Sequence, residues 1–210
     1  MGSVLFALCT REIRKAILLN CRSGVSALTS KINIEGHSSV IAYWLIPAEP
    51  AHRFFQRLIE DLARRYDAPL FEPHVTIHVG ANYPDAAEKT LSRTAREWQP
   101  IHLKAVRIGH SDEFIKTLFV QFAPNRKLRQ LNAIIRNAAQ DSSHYELKPH
   151  LSLIYKYMPV TARRELADSI KVPFPEVIFD SFKAIRCISP TRSRADVDAW
   201  RLVATKKLSV

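Results

Sequence analysis

Two histidines stand at the start of the same short pattern, which the sequence contains once at His74 and once at His150. Each copy reads histidine, apolar, hydroxyl, apolar and follows a proline, and the hydroxyl residues are Thr76 and Ser152. On a β-strand, side chains two positions apart point to the same face. Each histidine therefore shares a face with its hydroxyl residue, while the apolar residues between and after them enter a core.

Two imidazoles and two hydroxyls in one cleft would suit the cleavage of a phosphodiester. An unperturbed imidazole titrates near pH ~6.5, so one histidine can accept a proton while the other donates one. Hydroxyls can donate hydrogen bonds to the phosphoryl oxygens, where negative charge grows in the transition state. We therefore predict His74, Thr76, His150 and Ser152 as catalytic residues. The alternative, a structural strand histidine, is disfavoured because the whole pattern occurs twice.

A third histidine, His78, lies two positions beyond Thr76 and has no counterpart in the second copy, where Ile154 takes its place. The strand alternation puts it on the same face as Thr76. We expect a residue at the rim of the cleft or at the end of the strand rather than a catalytic group.

The histidine pattern ends a longer unit, a strand followed by a helix, that also occurs twice. Residues 40–46 are β-branched and aromatic, which favours a strand. Phe54, Leu58, Leu62 and Tyr66 recur at helical spacing, and Phe55, Ile59 and Ala63 flank them, which predicts a helix with one apolar stripe. The shift that carries His74 onto His150 superimposes the two units without a gap, which we interpret as a duplication. The remaining predicted elements are a strand at 117–122, helices from Pro124-Asn125 and at 84–98 and 161–170, strands at 101–108, 177–188 and 200–208, and turns at 109–113 and 141–143.

The order of these elements favours an α+β fold of two lobes related by a pseudo-twofold axis. Each lobe would contain a small, mostly antiparallel sheet with helices on its outer side, and a central cleft would lie between the sheets. Residues 39–210 would form this bilobal domain. Residues 1–38 include five basic and two acidic side chains, and we expect them to form a loosely ordered N-terminal extension.

The composition narrows the class of ligand. The chain has 210 residues, and 31 Lys and Arg against 20 Asp and Glu give a net charge of +11. A basic surface favours polyanions such as RNA and nucleotides.

Three cysteines without a short spacing fit neither a disulfide framework nor a zinc site, and they favour a cytoplasmic location. No apolar run approaches the length of a membrane span, so we expect no membrane partner.

Motifs for bound cofactors are missing from the sequence. It contains no metal-ligand spacing, no Gly-rich phosphate loop and no Gly-x-Ser-x-Gly elbow. We therefore expect neither a metal ion nor another cofactor to take part in the chemistry.

The two patterns, in their matching context, resemble the signature of the 2H phosphoesterase superfamily, and more closely that of its cyclic phosphodiesterase branch with its LigT-like fold. The resemblance covers roughly residues 40–208 and rests on residues 73–76, residues 149–153, Trp44 and Tyr155. It implies metal-independent hydrolysis of 2′,3′-cyclic nucleotides, or of ADP-ribose 1″,2″-cyclic phosphate, to phosphomonoesters.

The same resemblance implies roles for individual residues. His150 would activate the attacking water, and His74 would protonate the ribose oxygen that leaves. Trp44 and Tyr155 match family positions that contact the base or the ribose of the substrate, and aromatic faces suit base stacking. We add Phe119 as a third candidate for substrate binding.

Two other functions fit the sequence. One is a 2H enzyme that processes RNA ends, such as a 2′,5′-linkage phosphodiesterase or a ligase-like enzyme. The other is a non-catalytic module that binds RNA or nucleotides, although binding alone does not require two histidines placed to titrate. We expect a monomeric enzyme whose partner is a cyclic nucleotide, ADP-ribose cyclic phosphate or an RNA end.

Overall fold

The computed structural model describes residues 38–81, 83–139 and 145–209. The predicted N-terminal extension, apart from its last residue, and the predicted turn at 141–143 lie outside the described residues. The strands are β1 (Ser38–Pro47), β2 (Val75–Ala81), β3 (Ile101–His110), β4 (Leu118–Phe122), β5 (His150–Ile154), β6 (Glu176–Ser189) and β7 (Arg201–Lys207). The α-helices are α1 (Ala51–Tyr66), α2 (Pro84–Glu97), α3 (Arg126–Ala138), α4 (Val160–Ser169) and α5 (Arg194–Asp198).

The strands pair antiparallel throughout, in the order β1-β2-β5-β4-β3-β6-β7. Strand β6 also pairs with β1, so six strands close into a ring and β7 lies outside it. One half of the ring is β2, β1 and β6, and the other is β5, β4 and β3. The halves meet at one β2–β5 pair, Val75 with Leu151, and along the start of β6, which pairs with β3. The predicted α+β fold with antiparallel strands is confirmed, and its two halves belong to one continuous sheet.

Strand β1 separates the main core from a second, smaller apolar cluster. Ile41, Tyr43 and Leu45 point into the main core, where each is at most 2% exposed. Ala42 and Trp44, which alternate with them, belong to the second cluster. A strand that is buried on both faces reads as a continuous apolar run, which explains why residues 40–46 contain no charged side chain.

Helices α1 and α3 pack one apolar face each against the sheet. In α1 the buried side chains include Phe55, Ile59 and Leu62, whereas Phe54 and Leu58 are only partly buried. The predicted apolar stripe therefore faces the sheet, and its most buried part is the flank formed by Phe55, Ile59 and Ala63. No helix in the described part of the chain is long and apolar enough to cross a membrane.

The two repeated units superimpose with one change of offset, so the gap-free prediction was wrong. In the first unit Leu45 pairs with Val75, and in the second Val120 pairs with Leu151. The offset that relates Leu45 to Val120 is one position shorter than the offset that relates Val75 to Leu151. The difference matters because a slip of one position turns every side chain of a strand to the opposite face.

Two short elements escaped the sequence analysis. The predicted hairpin turn at 109–113 does join β3 to β4, but β3 continues to His110 and a 3₁₀ helix over Phe114–Lys116 lengthens the connection. Helix α5 follows a capping box, in which Ser193 and Asp196 satisfy each other's backbone N–H groups. The 3₁₀ helix lies beside the cleft, since Phe114 and Ile115 line the cavity described below.

The ring of Phe119 fits directly against the backbone of Gly109, its cross-strand partner. A Cβ atom at position 109 would lie 2.6 Å from Cζ of Phe119. We predict that Gly109→Ala lowers the free energy of unfolding by roughly 1–3 kcal/mol, because the ring must move inside a packed region. Chemical denaturation of Gly109→Ala, Phe119→Leu and the double variant would measure this. Gly109→Ala should lower the free energy of unfolding less when position 119 is the smaller Leu than when it is Phe. An equal loss in both cases would contradict a clash between the added methyl and the Phe119 ring.

Candidate active site

The pair of Val75 with Leu151 sets the two histidine patterns against each other. Because β2 and β5 are antiparallel, this register places His74 across from Ser152, and Thr76 across from His150. The two histidines then lie diagonally across the shared face, a separation of about 7–8 Å between α-carbons in regular pairing. The pseudo-twofold axis runs through the central apolar pair. The structure thus brings the four residues predicted from the sequence to one place.

A β-bulge follows each hydroxyl residue and reverses the expected faces beyond it. Strand β1 pairs Trp44 with Thr76 but Tyr43 with His78, so Ile77 has no partner residue there. His78 consequently points to the core face, where it is fully buried 6.1 Å from the ring of Tyr43. The prediction that His78 lies at the cleft rim or the strand end was wrong, because a period of two does not survive a bulge.

Both histidines make the same hydrogen bond to the backbone. Nδ1 of His74 donates to the carbonyl oxygen of Glu72 at 2.6 Å, and Nδ1 of His150 donates to the carbonyl oxygen of Lys148 at 2.7 Å. A carbonyl can only accept, so the proton of each neutral imidazole is on Nδ1 and the lone pair is on Nε2. The proline between the two residues fixes its own φ and keeps the residue before it extended.

The imidazole of His74 is enclosed by aromatic rings. It is 6% exposed and stacks on Trp44 with ring centroids 3.6 Å apart at 11°. Trp200 and Phe71 approach it edge-on, each at 6.2 Å. Burial lowers the pKa of His74 to about 3, opposed by the hydrogen bond to Glu72 and reinforced by the charges of His150 and Lys183. The imidazole is therefore neutral at pH 7.

The ammonium of Lys183 is neutralised within the same region. It donates to both carboxylate oxygens of Glu72, at 2.7 and 2.6 Å. His52 lies 3.6 Å from the same carboxylate. Glu72 therefore orients His74 through its backbone and balances the nearest lysine through its side chain.

The surroundings of His150 are more open and more charged. The ring of Phe119 meets it edge-on at 5.5 Å, and the ammonium of Lys116 lies 4.9 Å above the Phe119 ring. Burial lowers the pKa of His150, the hydrogen bond to Lys148 opposes this, and Lys116 lowers the pKa further while Glu113 raises it. The two imidazoles thus share a backbone bond but differ in their charged neighbours.

The two hydroxyl residues differ as well. Thr76 is partly exposed and lines a cavity. Ser152 is 5% exposed, and its hydroxyl donates to the carbonyl oxygen of Ile115 at 2.7 Å. That Ser152 binds a phosphoryl oxygen stays a prediction, and in this arrangement its proton is already engaged.

A cavity of about 370 Å³ opens beside the first histidine. Its lining includes His74 and Thr76, whereas His150 and Ser152 lie outside it. Of the predicted substrate-binding aromatics, Trp44 and Tyr155 line the cavity and Phe119 does not. The full aromatic lining is Trp44, Phe114, Tyr155, Tyr157 and Trp200.

Both predicted aromatic contacts in the cavity already have one covered face. Trp44 stacks on His74, and Tyr155 stacks on Phe71 with centroids 3.8 Å apart at 12°. Burial raises the pKa of the Tyr155 phenol, so the group stays protonated at neutral pH. Base stacking on either ring stays a prediction, which would use the faces turned to the cavity.

Several residues of the site were not found from the sequence. Lys116 and Glu113 reach His150 from a turn that is distant in the chain, and Trp200 reaches the cavity from the start of the last strand. Arg192 also lines the cavity, whereas Arg194 pairs with Asp67 at 2.6 Å. Lone charged residues in loops carry no periodic signal, so only the tertiary structure assigns them.

Metal ligands are not grouped in the part of the chain that the structure describes. Within residues 38–81, 83–139 and 145–209, no cluster of three or more His, Cys, Asp or Glu side chains is arranged to hold a metal ion. Cys187 lies in the cavity wall as a free, buried thiol, and burial raises its pKa to about 12.

The chain is similar to known proteins in its sequence and in its fold. A family model described as "Cyclic phosphodiesterase-like protein" matches residues 39–208. A cyclic phosphodiesterase of Arabidopsis thaliana is 22% identical over 179 residues, covering 83% of this chain and 98% of the relative. Among solved structures, a Thermus thermophilus protein superimposes with a TM-score of 0.51 at 14% identity over 80% of this chain and 97% of that one. The E. coli LigT complex with 3′-AMP gives a TM-score of 0.47 at 15% identity over 82% and 99%.

The low pKa of His74 makes the stability of the fold sensitive to acid. The folded pKa of about 3 lies below the ordinary value of 6.5, so the unfolded chain binds the extra proton more readily. We predict that this contribution is complete above pH 6.5 and that roughly 4 kcal/mol is lost as the pH falls to 3. Urea denaturation between pH 7 and 3 of the wild type and of His74→Gln would measure it. Equal acid sensitivity of the two proteins would contradict the prediction.

Proposed function

The chain belongs to the cyclic phosphodiesterase-like family of 2H phosphoesterases, and we propose that it hydrolyses 2′,3′-cyclic nucleotides to phosphomonoesters by a metal-independent two-histidine mechanism. ADP-ribose 1″,2″-cyclic phosphate is a second substrate of the same chemistry. The observation that carries the proposal is the matched pair of Nδ1 hydrogen bonds, to Glu72 and to Lys148. They leave the Nε2 atoms of His74 and His150 as the groups that can take up or release a proton.

The reaction would proceed by one displacement at phosphorus. One imidazole Nε2 takes a proton from water as the water oxygen forms a bond to phosphorus. The bond from phosphorus to one ribose oxygen breaks, and the second imidazole, as imidazolium, gives its proton to that oxygen. The product is a 2′-phosphomonoester with a free 3′-hydroxyl, and the pair of histidines has exchanged one proton between its members. The hydroxyl of Thr76 would donate to a non-bridging oxygen.

Geometry favours His74 as the acid and His150 as the base. The cavity lies beside His74, so a nucleoside placed there brings its ribose oxygens to that imidazole. His150 is the more exposed of the two and is open to water. The low pKa of His74 opposes this order in the free protein, but an anionic phosphate beside the imidazole would raise it. Geometry precedes pKa in choosing a general acid.

A cyclic mononucleotide fits the cavity better than a long RNA strand does. The space of about 370 Å³ matches one nucleoside unit, and its walls are mainly aromatic and aliphatic. Stacking on such walls tolerates different bases, so we expect turnover of all four 2′,3′-cyclic nucleotides. Internal 2′,5′-linked oligonucleotides should be poorer substrates, which a comparison of kcat/KM for the two substrate classes would test.

Removal of either imidazole should abolish most of the activity. We predict that His74→Ala and His150→Ala each lower kcat by about 10²–10⁴-fold, because a positioned acid or base contributes that much. The assay is hydrolysis of 2′,3′-cyclic AMP in the presence of EDTA, with the product isomer identified by phosphorus NMR. His102→Ala serves as the control, since His102 of β3 is half exposed and pairs with Glu176 of β6, away from the two motif histidines. Full activity in either cleft variant, or loss of wild-type activity in EDTA, would refute the mechanism.

The rate should depend on pH in a way that follows from the two low pKa values. The reaction needs one proton on the pair, and burial lowers the pKa of both histidines from 6.5 in the free enzyme. We therefore predict that the descending limb of kcat/KM lies below pH 6.5, so that kcat/KM is already falling as the pH rises through 6.5. The descending limb of kcat should lie at higher pH, because the bound phosphate anion favours the imidazolium. Steady-state kinetics from pH 4 to 9 would test this, and a kcat/KM that rises from pH 6 to 8 would contradict it.

A further inference from the structure

The hydrogen bond that fixes His74 is accepted by a residue outside the strands and helices. Glu72, whose carbonyl oxygen accepts from Nδ1 of His74 at 2.6 Å, lies in segment 68–74 between α1 and β2. The hydrogen-bond ladder of a sheet does not hold a connecting segment in place. The position of the Glu72 carbonyl, and with it the orientation of the imidazole, therefore depends on further contacts.

The side chain of Glu72 makes such a contact with a distant strand. Nζ of Lys183, in β6, donates to the two carboxylate oxygens at 2.7 and 2.6 Å, across 111 positions of sequence. The side chains of Lys183 and Glu72 are only 22% and 30% exposed, so salt screens this pair less than it screens a surface pair. Nε2 of His52, in α1, lies 3.6 Å from the same carboxylate. The ion pair thus ties segment 68–74 to the sheet.

The register of the strands explains why Lys183 can reach this segment. Trp44 pairs with Lys183 on one side and with Thr76 on the other, so these three side chains form one row on the same face of the sheet. Trp44 also stacks on the imidazole of His74 at 3.6 Å. Neighbouring positions of one row therefore cover the ring of His74 and hold the residue that accepts its Nδ1 proton.

The second histidine is held in a different way. The side chain of Lys148, whose carbonyl oxygen accepts from His150, pairs with Glu146 at 2.6 Å, and the two side chains are 59% and 71% exposed. Such a surface pair contributes little. Gln121 of β4 instead donates from Nε2 to the carbonyl oxygen of Pro149 at 2.7 Å. The long-range ion pair is thus a feature of the His74 half of the site.

We propose that Lys183 is a positioning residue for His74, which holds the Glu72 carboxylate so that the Glu72 carbonyl oxygen stays on Nδ1 of the imidazole. Lys183 acts through Glu72 and not on the substrate. Desolvation offsets much of the attraction within a partly buried ion pair, so Lys183 serves the placement of Glu72 more than the stability of the fold. This proposal rests on the proposed phosphodiesterase function, in which Nε2 of His74 gives a proton to the leaving oxygen.

The charge of Lys183 and its positioning role predict opposite effects when the residue is removed. A cation near His74 opposes the protonation of the imidazole, so loss of the charge alone would favour the acid form and would not lower kcat. Loss of position should lower kcat, since a displacement of about 1 Å in an active site can cost about 100-fold in rate. The sign of the change in kcat therefore separates the two roles.

Steady-state kinetics of matched lysine variants test the proposal. Lys183→Met, which keeps an unbranched side chain without the charge, should lower kcat for 2′,3′-cyclic AMP about 10- to 100-fold with little change in KM. Lys183→Arg, which can pair with both carboxylate oxygens, should restore most of kcat. The control is Lys207→Met, since the Lys207 side chain is 82% exposed and pairs with Asp180 at 3.3 Å. It should change neither parameter.

A double-mutant cycle with Glu72 adds a second test. Glu72→Gln keeps the carbonyl oxygen but removes the carboxylate, and it leaves the Lys183 ammonium uncompensated near His74. It should therefore lower kcat further than Lys183→Met does. Removal of the ammonium as well, in Glu72→Gln/Lys183→Met, should bring kcat back up to about the level of Lys183→Met. Losses that multiply in the double variant would overturn the proposal.

The imidazole proton gives a test that does not depend on activity. The Nδ1 proton of His74 is hydrogen-bonded and the residue is 6% exposed, so it should exchange slowly with water and give a resolved proton NMR signal. The signal should broaden or vanish in Lys183→Met and persist in Lys183→Arg and Lys207→Met. If the wild type does not hydrolyse 2′,3′-cyclic nucleotides, the phosphodiesterase proposal fails, but this signal still decides whether Lys183 positions His74. An unchanged signal in Lys183→Met would refute the role of Lys183 alone.

Discussion

A single cross-strand pair, Val75 with Leu151, joins the histidine strands of the two lobes. Both side chains are fully buried, so the pair is fixed by the core and cannot slip without exposing apolar surface on both strands. The placement of the four motif residues is a consequence of this pair. This register places His74 opposite Ser152 on one side of the pair and Thr76 opposite His150 on the other. The two combinations are related by the pseudo-twofold axis.

The pseudo-twofold symmetry includes the β-bulges of the strands, but it does not include the contacts that the side chains make with the two histidines. Trp44 lies opposite Thr76, Phe119 lies opposite Ser152, and each of the two strand pairs changes register next to its aromatic residue. The aromatic residues then contact their histidines differently, since Trp44 stacks flat on His74 whereas Phe119 meets His150 edge-on. Flat stacking excludes water from one imidazole, and edge-on contact leaves room for charged groups near the other. One backbone arrangement therefore supports two electrostatic environments.

The sequence predicts the fold and the four motif residues because those features obey short periods. Alternation on strands identifies His74 and Thr76, and the repeat identifies their counterparts. The features that were not predicted share a cause, because each depends on contacts that have no regular period in the sequence. His78 turns into the core because a bulge, which depends on how neighbouring strands twist, adds one position to the count. The sequence does not reveal the effect of Lys116 on His150, because Lys116 lies in a non-periodic turn that the distant Ser152 contacts through a hydrogen bond to Ile115.

The residue before each proline shows how the two halves diverged without loss of the shared geometry. Both carbonyl oxygens, of Glu72 and Lys148, fix a histidine through Nδ1. The side chains at these positions have opposite charge and are free to act elsewhere, because only the backbone is used. Glu72 neutralises Lys183 and so limits the repulsion that this lysine exerts on a protonated His74. In the proposed mechanism, a carboxylate at this position would help His74 to hold a proton beside a bound anion, and the burial of His74 opposes that protonation.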